Sequence, residues 1–565
     1  MVWTVRGLVV LCIYDGLDGL LFLEIYTLSR VKYAEESMKT SIGTLKGPFP
    51  RSGSRARATM NFRDHLLTAL KILPDLREFH IHILVTAPAK DNSLYPYASP
   101  RPRLYVQDIL ILLSEQANPD APRVLVSAIE ACIYNAPATD SAILYVSKID
   151  STGQGLAPSP TATLVRAFIR WYADPATRPV SARHFWVQLF ARAQGQYLFP
   201  NSSDFPGKRP LSDARLCAWW RRVMGQVGGD VREAIGKEGR VDMFYVLPGH
   251  NELEAQQVMG SVTSSFTDKS QWIYGHPYSQ TDIPLPCPPP EGLHNLGHYI
   301  PSFEDDPKNR FMDEIAHTDT PASPRKRPRT DTPLDDRDEP ACRNGDKEKD
   351  RKGRPMGELS QVGPDEFWER MSFRQECVAG AVTSFFAMGI SVPEDCMPSQ
   401  RPPPLAPQPG QVPRSMKRRI LSSLLTGVEF STPERARKAT ELIEGAVRGL
   451  CEGLAPKLPL PKSKTQGTEA TQDLLVPSVP RTPPRRTVGL PPADNISPNP
   501  FDEPEATLET YNAHIYGSIT VSNPPLPPKA SIGGAATEAA SGDGPVSQTK
   551  VHVLTVRKKK KRPEA

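Results

Sequence analysis

Three short stretches of the sequence gather side chains able to do chemistry. In the first, Val146-Ser147-Lys148-Ile149-Asp150-Ser151-Thr152-Gly153, an apolar run empties into a carboxylate, hydroxyls and a glycine. Asp, Ser, Thr and Gly each suit a turn, so this is either a plain connection or a turn that offers donors and acceptors to a ligand. The second, Arg192-Ala193-Gln194-Gly195-Gln196-Tyr197-Leu198-Phe199-Pro200, is followed by Lys208-Arg209-Pro210-Leu211 and a helix start at Ser212. Basic residues leading into a helix N-terminus set positive charge beside free N–H groups and can seat phosphates; a solvated basic loop is the other reading. The third, Glu304-Asp305-Asp306-Pro307-Lys308-Asn309-Arg310-Phe311, crowds carboxylates beside two cations. It is either an ion-paired turn or a site that recognises a lysine amine.

Other chemistries lack their signatures. There is no GxxxxGK[ST] loop, GxSxG elbow, HExxH pair or dinucleotide fingerprint. The eight cysteines form no CxxC, so no metal site is expected, and their scatter fits a reducing compartment, cytosol or nucleus. A formal net charge of +5 over 565 residues is too small to mark the whole chain as a nucleic-acid binder. The apolar opening, Leu8 to Cys12 and Leu20 to Leu23, is interrupted by Asp15 and Asp18, which argues against a signal peptide or a membrane span.

The elements that must position these stretches alternate irregularly, as in a mixed α/β domain. Phe62, Leu66, Leu70 and Leu73 keep helical spacing, and residues 79–85 and 142–147 have the pattern of strands. Ser159-Pro160 is expected to open a helix, with Ser159 supplying the capping oxygen. A helix from Ser212 carries Leu216, Trp219, Trp220 and Val223 on one side, and Met243 to Leu247 make a further strand. Order resumes near Phe367-Trp368 and through Val378 to Met388. It ends in two helices, Met416 to Leu425 and Pro433 to Leu450, the second with a capping box at Ser431-x-x-Glu434.

Composition sets the boundaries. Proline, at 60 of 565 residues, is about twice its ordinary ~5% share, which excludes a packed core from end to end. Residues 60–317 and 360–452 are expected to form one domain. Residues 318–359 are a charged, disordered insertion, 453–550 a disordered Pro-rich tether, and 551–565 a basic tip that binds a chaperone or serves nuclear import. Residues 1–59 are an extension of unknown role or a gene-model artefact, with the fold starting at Met60.

Taken together, Asp150 in VSKIDSTG, the block QLFARAQGQYLFPNSS, Trp219-Trp220, FEDDPKNRF and the later FWERMSFRQE and AMGIS resemble the fungal histone acetyltransferase family called regulator of Ty-one transposition, from Met60 to Leu450. The resemblance implies an α/β fold of the CBP type, one large domain with a central mixed β-sheet surrounded by helices. It implies acetyl-coenzyme A as co-substrate, without metal. The implied substrates are lysines of histone H-three, in its core αN helix and its tail, within the dimer with histone H-four. They would be presented by histone chaperones of the Asf and Vps (nucleosome-assembly-protein-like) kinds, in the nucleus, for replication-coupled chromatin assembly and the DNA-damage response. Neither a membrane nor a specific nucleic-acid sequence is an implied partner.

Carried over by position, Ile149, Asp150 and Ser151 fall on the cofactor-contacting turn, and Phe190, Gln194 and Tyr197 on the acyl and pantetheine channel. Arg209, Pro210 and Leu211 fall on the phosphate-side loop with Trp219 beside it, and Thr161 and Ala162 fall at the phosphates. Trp220 matches a wall of the substrate-lysine tunnel and Lys308 a lysine that the family acetylates in itself. An aromatic wall of Tyr197 and Trp220 would lower the ammonium pKa by desolvation, and Asp306 or Asp305 would accept the proton. Asp150 completes the expected catalytic set. A catalytically inactive chromatin scaffold and a nucleic-acid binder using residues 325–329 and the basic tip are the readings from other classes.

Overall fold

The computed structural model describes residues 61–260, 272–317, 357–374, 382–394, 403–453, Phe501 and 503–525, together with the backbone of three strands near the N-terminus. Those three, Val2–Val5, Leu8–Tyr14 and Leu21–Thr27, pair only with one another. The basic tip, the charged run from 318 to 356 and the rest of residues 1–60 lie outside the described residues.

Eleven other strands make one mixed sheet. They are β1 (Asp75–Thr86), β2 (Ala89–Asp91), β3 (Leu104–Gln116), β4 (Val124–Ala136), β5 (Ser141–Ser151), β6 (His184–Ala191), β7 (Arg240–Val246), β8 (Trp272–Tyr274), β9 (Ser384–Ser391), β10 (Gln411–Val412) and β11 (Tyr516–Asn523). The order across the sheet is β8-β7-β9-β6-β5-β4-β3-β1-β10, with β11 also on β1 and β2 on β3. Three neighbouring pairs are parallel: β7 with β8, β5 with β6, and β1 with β10.

Both faces are covered, which is why the strands are nearly continuous apolar runs rather than clean alternations. Along β3, Ile109, Ile111 and Leu113 face one core while Leu110 and Leu112 face another. The first core is closed by α1 (Phe62–Leu70), α2 (Thr161–Ala173), α3 (Asp213–Ile235) and α4 (Glu252–Gly260), through Leu66, Phe168, Met224 and Ala255. Two shorter helices, α5 (Pro307–Ala316) and α6 (Pro364–Met371), bury Phe311, Met312, Phe367 and Met371 in a cluster of their own. The second core is closed by α7 (Arg414–Thr426) and α8 (Pro433–Cys451), through Ile420, Leu424, Ala436 and Ile443. Among the described residues no helix is long and apolar enough to cross a membrane.

Several local expectations are corrected. The residue at the N-cap of α2 is Pro160, and the expected oxygen, Ser159 Oγ one position earlier, accepts from the Thr161 N–H at 3.4 Å. Ser159 Oγ also lies 2.9 Å from Thr161 Oγ1. The cap of α8 is Thr432, one residue later than expected, accepting from the Arg435 N–H. The described residues resume at Gly357, inside the stretch assigned to the charged insertion, and the segment 375–381 lies outside them.

The largest correction concerns the tether. Residues 503–525 are built into the fold: Tyr511 and Ile515 enter the second core and β11 pairs with β1 from Tyr516↔His82 to Asn523↔Asp75. Alternating Ile519 and Val521 face the first core, which gives this segment the apolar surface that the Pro-rich sequence around it lacks.

Candidate functional site

Strands β5 and β6 run side by side and then part. Their parallel pairing extends from Ser141↔His184 to Val146↔Leu189 and stops. Beyond it β6 stays with β9 as far as Ala191↔Ser384, whereas β5 follows β4, through a register shift between Glu130 and Ala131, to Ser127↔Ser151. The two C-terminal ends therefore diverge and open a cavity of about 330 Å³ between them. Carboxyl ends of parallel strands are where open α/β sheets receive ligands, because the loops that follow can leave to either side.

Every residue expected to hold the co-substrate lines this cavity. Ile149, Asp150 and Ser151 come from the end of β5, Phe190 from β6, and Gln194 and Tyr197 from the loop after it. Arg209, Pro210 and Leu211 come from the loop into α3, Trp219 and Trp220 from α3 itself, and Thr161 and Ala162 from the first turn of α2. The indole rings of Trp219 and Trp220 meet edge to face, 4.8 Å apart, with Trp220 buried and Trp219 half-buried. Ser147, Lys148, Ser159, Arg192, Lys208 and Leu216 also line the cavity; they stood in the stretches and elements already noted, without a place in the expected site. Arg192 and Lys208 stood in the basic stretch already noted, but nothing in their spacing distinguishes a cavity wall from a solvated loop.

Both carboxylate oxygens of Asp150 are engaged. Its Oδ2 accepts from three successive backbone N–H groups, those of Tyr197, Leu198 and Phe199, at 2.7, 2.9 and 3.1 Å. Its Oδ1 accepts from the Ser151 N–H and from Lys208 Nζ, both at 2.8 Å. A carboxylate with both oxygens so engaged has no lone pair to spare for a reacting proton. Asp150 is a positioning residue that draws the Tyr197 loop and the Lys208 loop to the end of β5. Gly153 makes this possible: its φ is +75°, and a Cβ there would stand 2.6 Å from Lys208 Cα.

Tyr197 is fixed from both ends, its N–H on Asp150 and its hydroxyl donating to the Arg192 carbonyl. Burial pushes its phenol up to about 12, so it is a neutral wall rather than a base.

The two acidic candidates of the third stretch separate completely. Asp306 is buried at the N-cap of α5, where Oδ1 accepts from the Lys308 N–H at 2.9 Å and Oδ2 lies 2.6 Å from Lys308 Nζ. Burial raises its pKa and the Lys308 cation opposes the rise. Lys308 Nζ stands over three rings, 4.9 Å from Phe385, 5.7 Å from Phe303 and 6.0 Å from Trp368. Asp305, by contrast, is exposed, and accepts from the Tyr145 hydroxyl at 2.8 Å and from Ser147 Oγ at 2.6 Å. Ser147 belongs to the cavity wall, so Asp305 reaches that wall through it, while Asp306 is bound to Lys308. Among the described residues no three His, Cys, Asp or Glu side chains are grouped as a metal site.

A sequence profile described as the histone acetyltransferase KAT11-type domain matches residues 175–445, which takes in the cavity from β6 onward, the acidic stretch and both C-terminal helices. Over those residues the chain is similar to the KAT11-type histone acetyltransferases. It is similar to the histone acetyltransferase rtt109 of Aspergillus flavus, 29% identical over 350 residues, covering 57% of this chain and 55% of that one. It is also similar to the histone acetyltransferase rtt109 of Schizosaccharomyces pombe, 26% identical over 281 residues, covering 50% and 59%. The chain thus spans a little over half the length of these curated relatives. Its fold is that of the crystal structure of Rtt109 from Aspergillus fumigatus, with a TM-score of 0.51 and 24% identity over 68% of this chain and 96% of that one.

Proposed function

We propose that the protein transfers an acetyl group from acetyl-coenzyme A to lysine side chains of histones. The observation that carries this is the cavity where β5 and β6 part, apolar at one end and basic at the other. Bound there, acetyl-coenzyme A supplies a thioester as acyl donor. Phe190, Leu216 and Trp219 suit the pantetheine chain. Arg209, Arg192 and the first turn of α2, whose N-cap proline offers no side-chain acceptor, suit the phosphates, since helix N-termini and guanidinium donors both favour anions. The residues therefore fit the group.

A lysine must arrive neutral to attack. Trp220 and Tyr197 exclude water from its path and disfavour the ammonium form by desolvation. Asp305 is the proton acceptor that best suits this geometry, because it is exposed to the cavity side through Ser147, whereas Asp306 is committed to Lys308. Ser147 Oγ, donating to Asp305, is the natural relay between them.

The finer reading is that the substrates are lysines of the core αN helix and tail of histone H-three, paired with histone H-four, delivered by chaperones of the Asf and Vps kinds in the nucleus. Lys308 is proposed as a site of autoacetylation. Incubation of the protein with acetyl-coenzyme A and histone–chaperone complexes, followed by mass spectrometry of every lysine, tests both. Acetyl-coenzyme A binding without any acetylated lysine would instead mark an inactive scaffold.

A further inference from the structure

One side chain connects the far edge of the sheet to the phosphate end of the cavity. Arg77 lies on β1 with no exposed side-chain surface. Its Nε donates to the Pro74 carbonyl at 2.8 Å, and its Nη1 reaches the carbonyls of Leu156 at 3.4 Å and Pro158 at 3.2 Å. The same nitrogen lies 3.3 Å from Glu115 Oε1 on β3, which in turn accepts from the Leu156 N–H at 3.4 Å. A guanidinium presents five donors in a rigid fork, so a single cation can gather one loop by several carbonyls. Gly155 completes the contact: a Cβ there would stand 2.6 Å from Glu115 Oε2 and 3.0 Å from Val126 Cγ1.

The loop that Arg77 gathers leads directly into α2, whose Thr161 and Ala162 line the cavity. Pro160 at the N-cap offers that helix no side-chain acceptor and Ser159, itself in the loop, accepts from the Thr161 N–H, so the direction in which the first N–H groups point is set by where the loop is held. The other side of Arg77 is held by the C-terminal strand. Val521 pairs with Arg77 and Ser522 with Leu76, while Asn523 Nδ2 donates to the carbonyls of Lys71 and Leu73 at 2.7 and 2.6 Å.

We propose that Arg77 is a positioning residue for the nucleotide end of the co-substrate: with Glu115 it fixes residues 155–159 and so aims the first turn of α2 at the phosphates, while β11 holds Arg77 in register. This rests on the acetyl-coenzyme A reading above. Arg77 and Glu115 are absent from the cavity wall, and the loop they hold joins that wall at Ser159 and the first turn of α2, away from the acyl-end residues Phe190 and Tyr197. The consequence must therefore depend on which part of the donor is present.

The full chain carrying Arg77→Ala, Glu115→Gln or Gly155→Ala is titrated calorimetrically with coenzyme A, followed by amide hydrogen exchange over residues 155–163, and assayed with acetyl-coenzyme A and with acetyl-pantetheine, which lacks the nucleotide. Arg77→Ala is expected to weaken coenzyme A about tenfold, the loss typical of hydrogen bonds to a charged group. Exchange in the loop accelerates, KM for acetyl-coenzyme A rises by the same factor at constant kcat, and kcat/KM for acetyl-pantetheine is unchanged. Gly155→Ala keeps every hydrogen-bonding group but displaces the Glu115 carboxylate, so it gives the same pattern should Arg77→Ala fail to fold. Equal loss with both donors, or no loss with either, overturns the positioning role. A wild-type chain that does not bind coenzyme A overturns the co-substrate reading itself, a result distinct from either of these.

Discussion

Lys208 Nζ lies 2.8 Å from Asp150 Oδ1, with both side chains nearly sealed from solvent, and the same ammonium donates to Ser202 Oγ at 2.7 Å. The end of β5 is thereby joined to the loop that follows β6 through one ion pair. Removing the anion leaves a buried cation without its counterion and four backbone donors unpaired. Asp150→Ala is expected to cost about 3–5 kcal/mol, the usual loss when one partner of a buried pair is deleted, and to abolish coenzyme A binding. Asp150→Asn, which still accepts from the loop, should lose less. Denaturant unfolding and calorimetry check both.

Asp305 and Asp306 are neighbours in sequence with opposite exposures, so their variants should fail differently. Asp305→Asn is expected to lower kcat on histone substrate while leaving the thermal midpoint unchanged. Asp306→Asn is expected to lower the thermal midpoint first. Identical behaviour of the two variants would remove Asp305 as the proton acceptor.

The Asp306–Lys308 pair is buried among rings beside a void of about 20 Å³, room for roughly one water. Lys308→Met alone strands a buried carboxylate and should destabilise the fold by about 3–5 kcal/mol. Adding Asp306→Asn keeps the α5 cap and removes the charge, so the double variant should recover most of that loss. A cycle of unfolding free energies measures the coupling directly.

His82 is fully covered by the C-terminal segment, its Nε2 3.1 Å from the Tyr511 hydroxyl, and burial, aided by the Arg123 cation, lowers its pKa to about 3. Unfolded, the imidazole titrates near 6.5. Between these values the unfolded chain binds the extra proton, so stability is full above about pH 6.5 and falls as pH drops toward 3. His82→Phe cannot take that proton and should flatten this part of the curve of thermal midpoint against pH. His80, lowered to about 4 and 3.0 Å from the Tyr516 hydroxyl, contributes the same sign and remains in the variant.

Much of the site was legible because its residues sit in two dense local stretches. The turn at Asp150 and the loops around Tyr197 and Arg209 announce themselves by composition, and the periodicity of Trp219 and Trp220 places them on one helix. The role of Asp150 was not legible, since its partners are backbone N–H groups 47 to 49 positions away. Arg77 gave no signal either: it binds carbonyls 79 and 81 positions on, and a carbonyl has no residue type. The strand β11 carries only one buried and one half-buried aliphatic side chain of its own, Val521 and Ile519, amid proline and threonine, a pattern too short to stand out against its surroundings. The alternation of Ile519 and Val521 was the one clue available.

Because β11 comes from so late in the chain, the order of synthesis acquires physical meaning. The ribosome must make some 440 further residues after Asp75 before Tyr516 exists, which takes roughly 20–90 s at ordinary elongation rates. Throughout that interval the first half of β1 presents an unpaired row of N–H and C=O groups, the kind of edge onto which stray strands add. A nascent chain stalled or cut before Asn523 is therefore left with a sticky seam that the finished protein does not have.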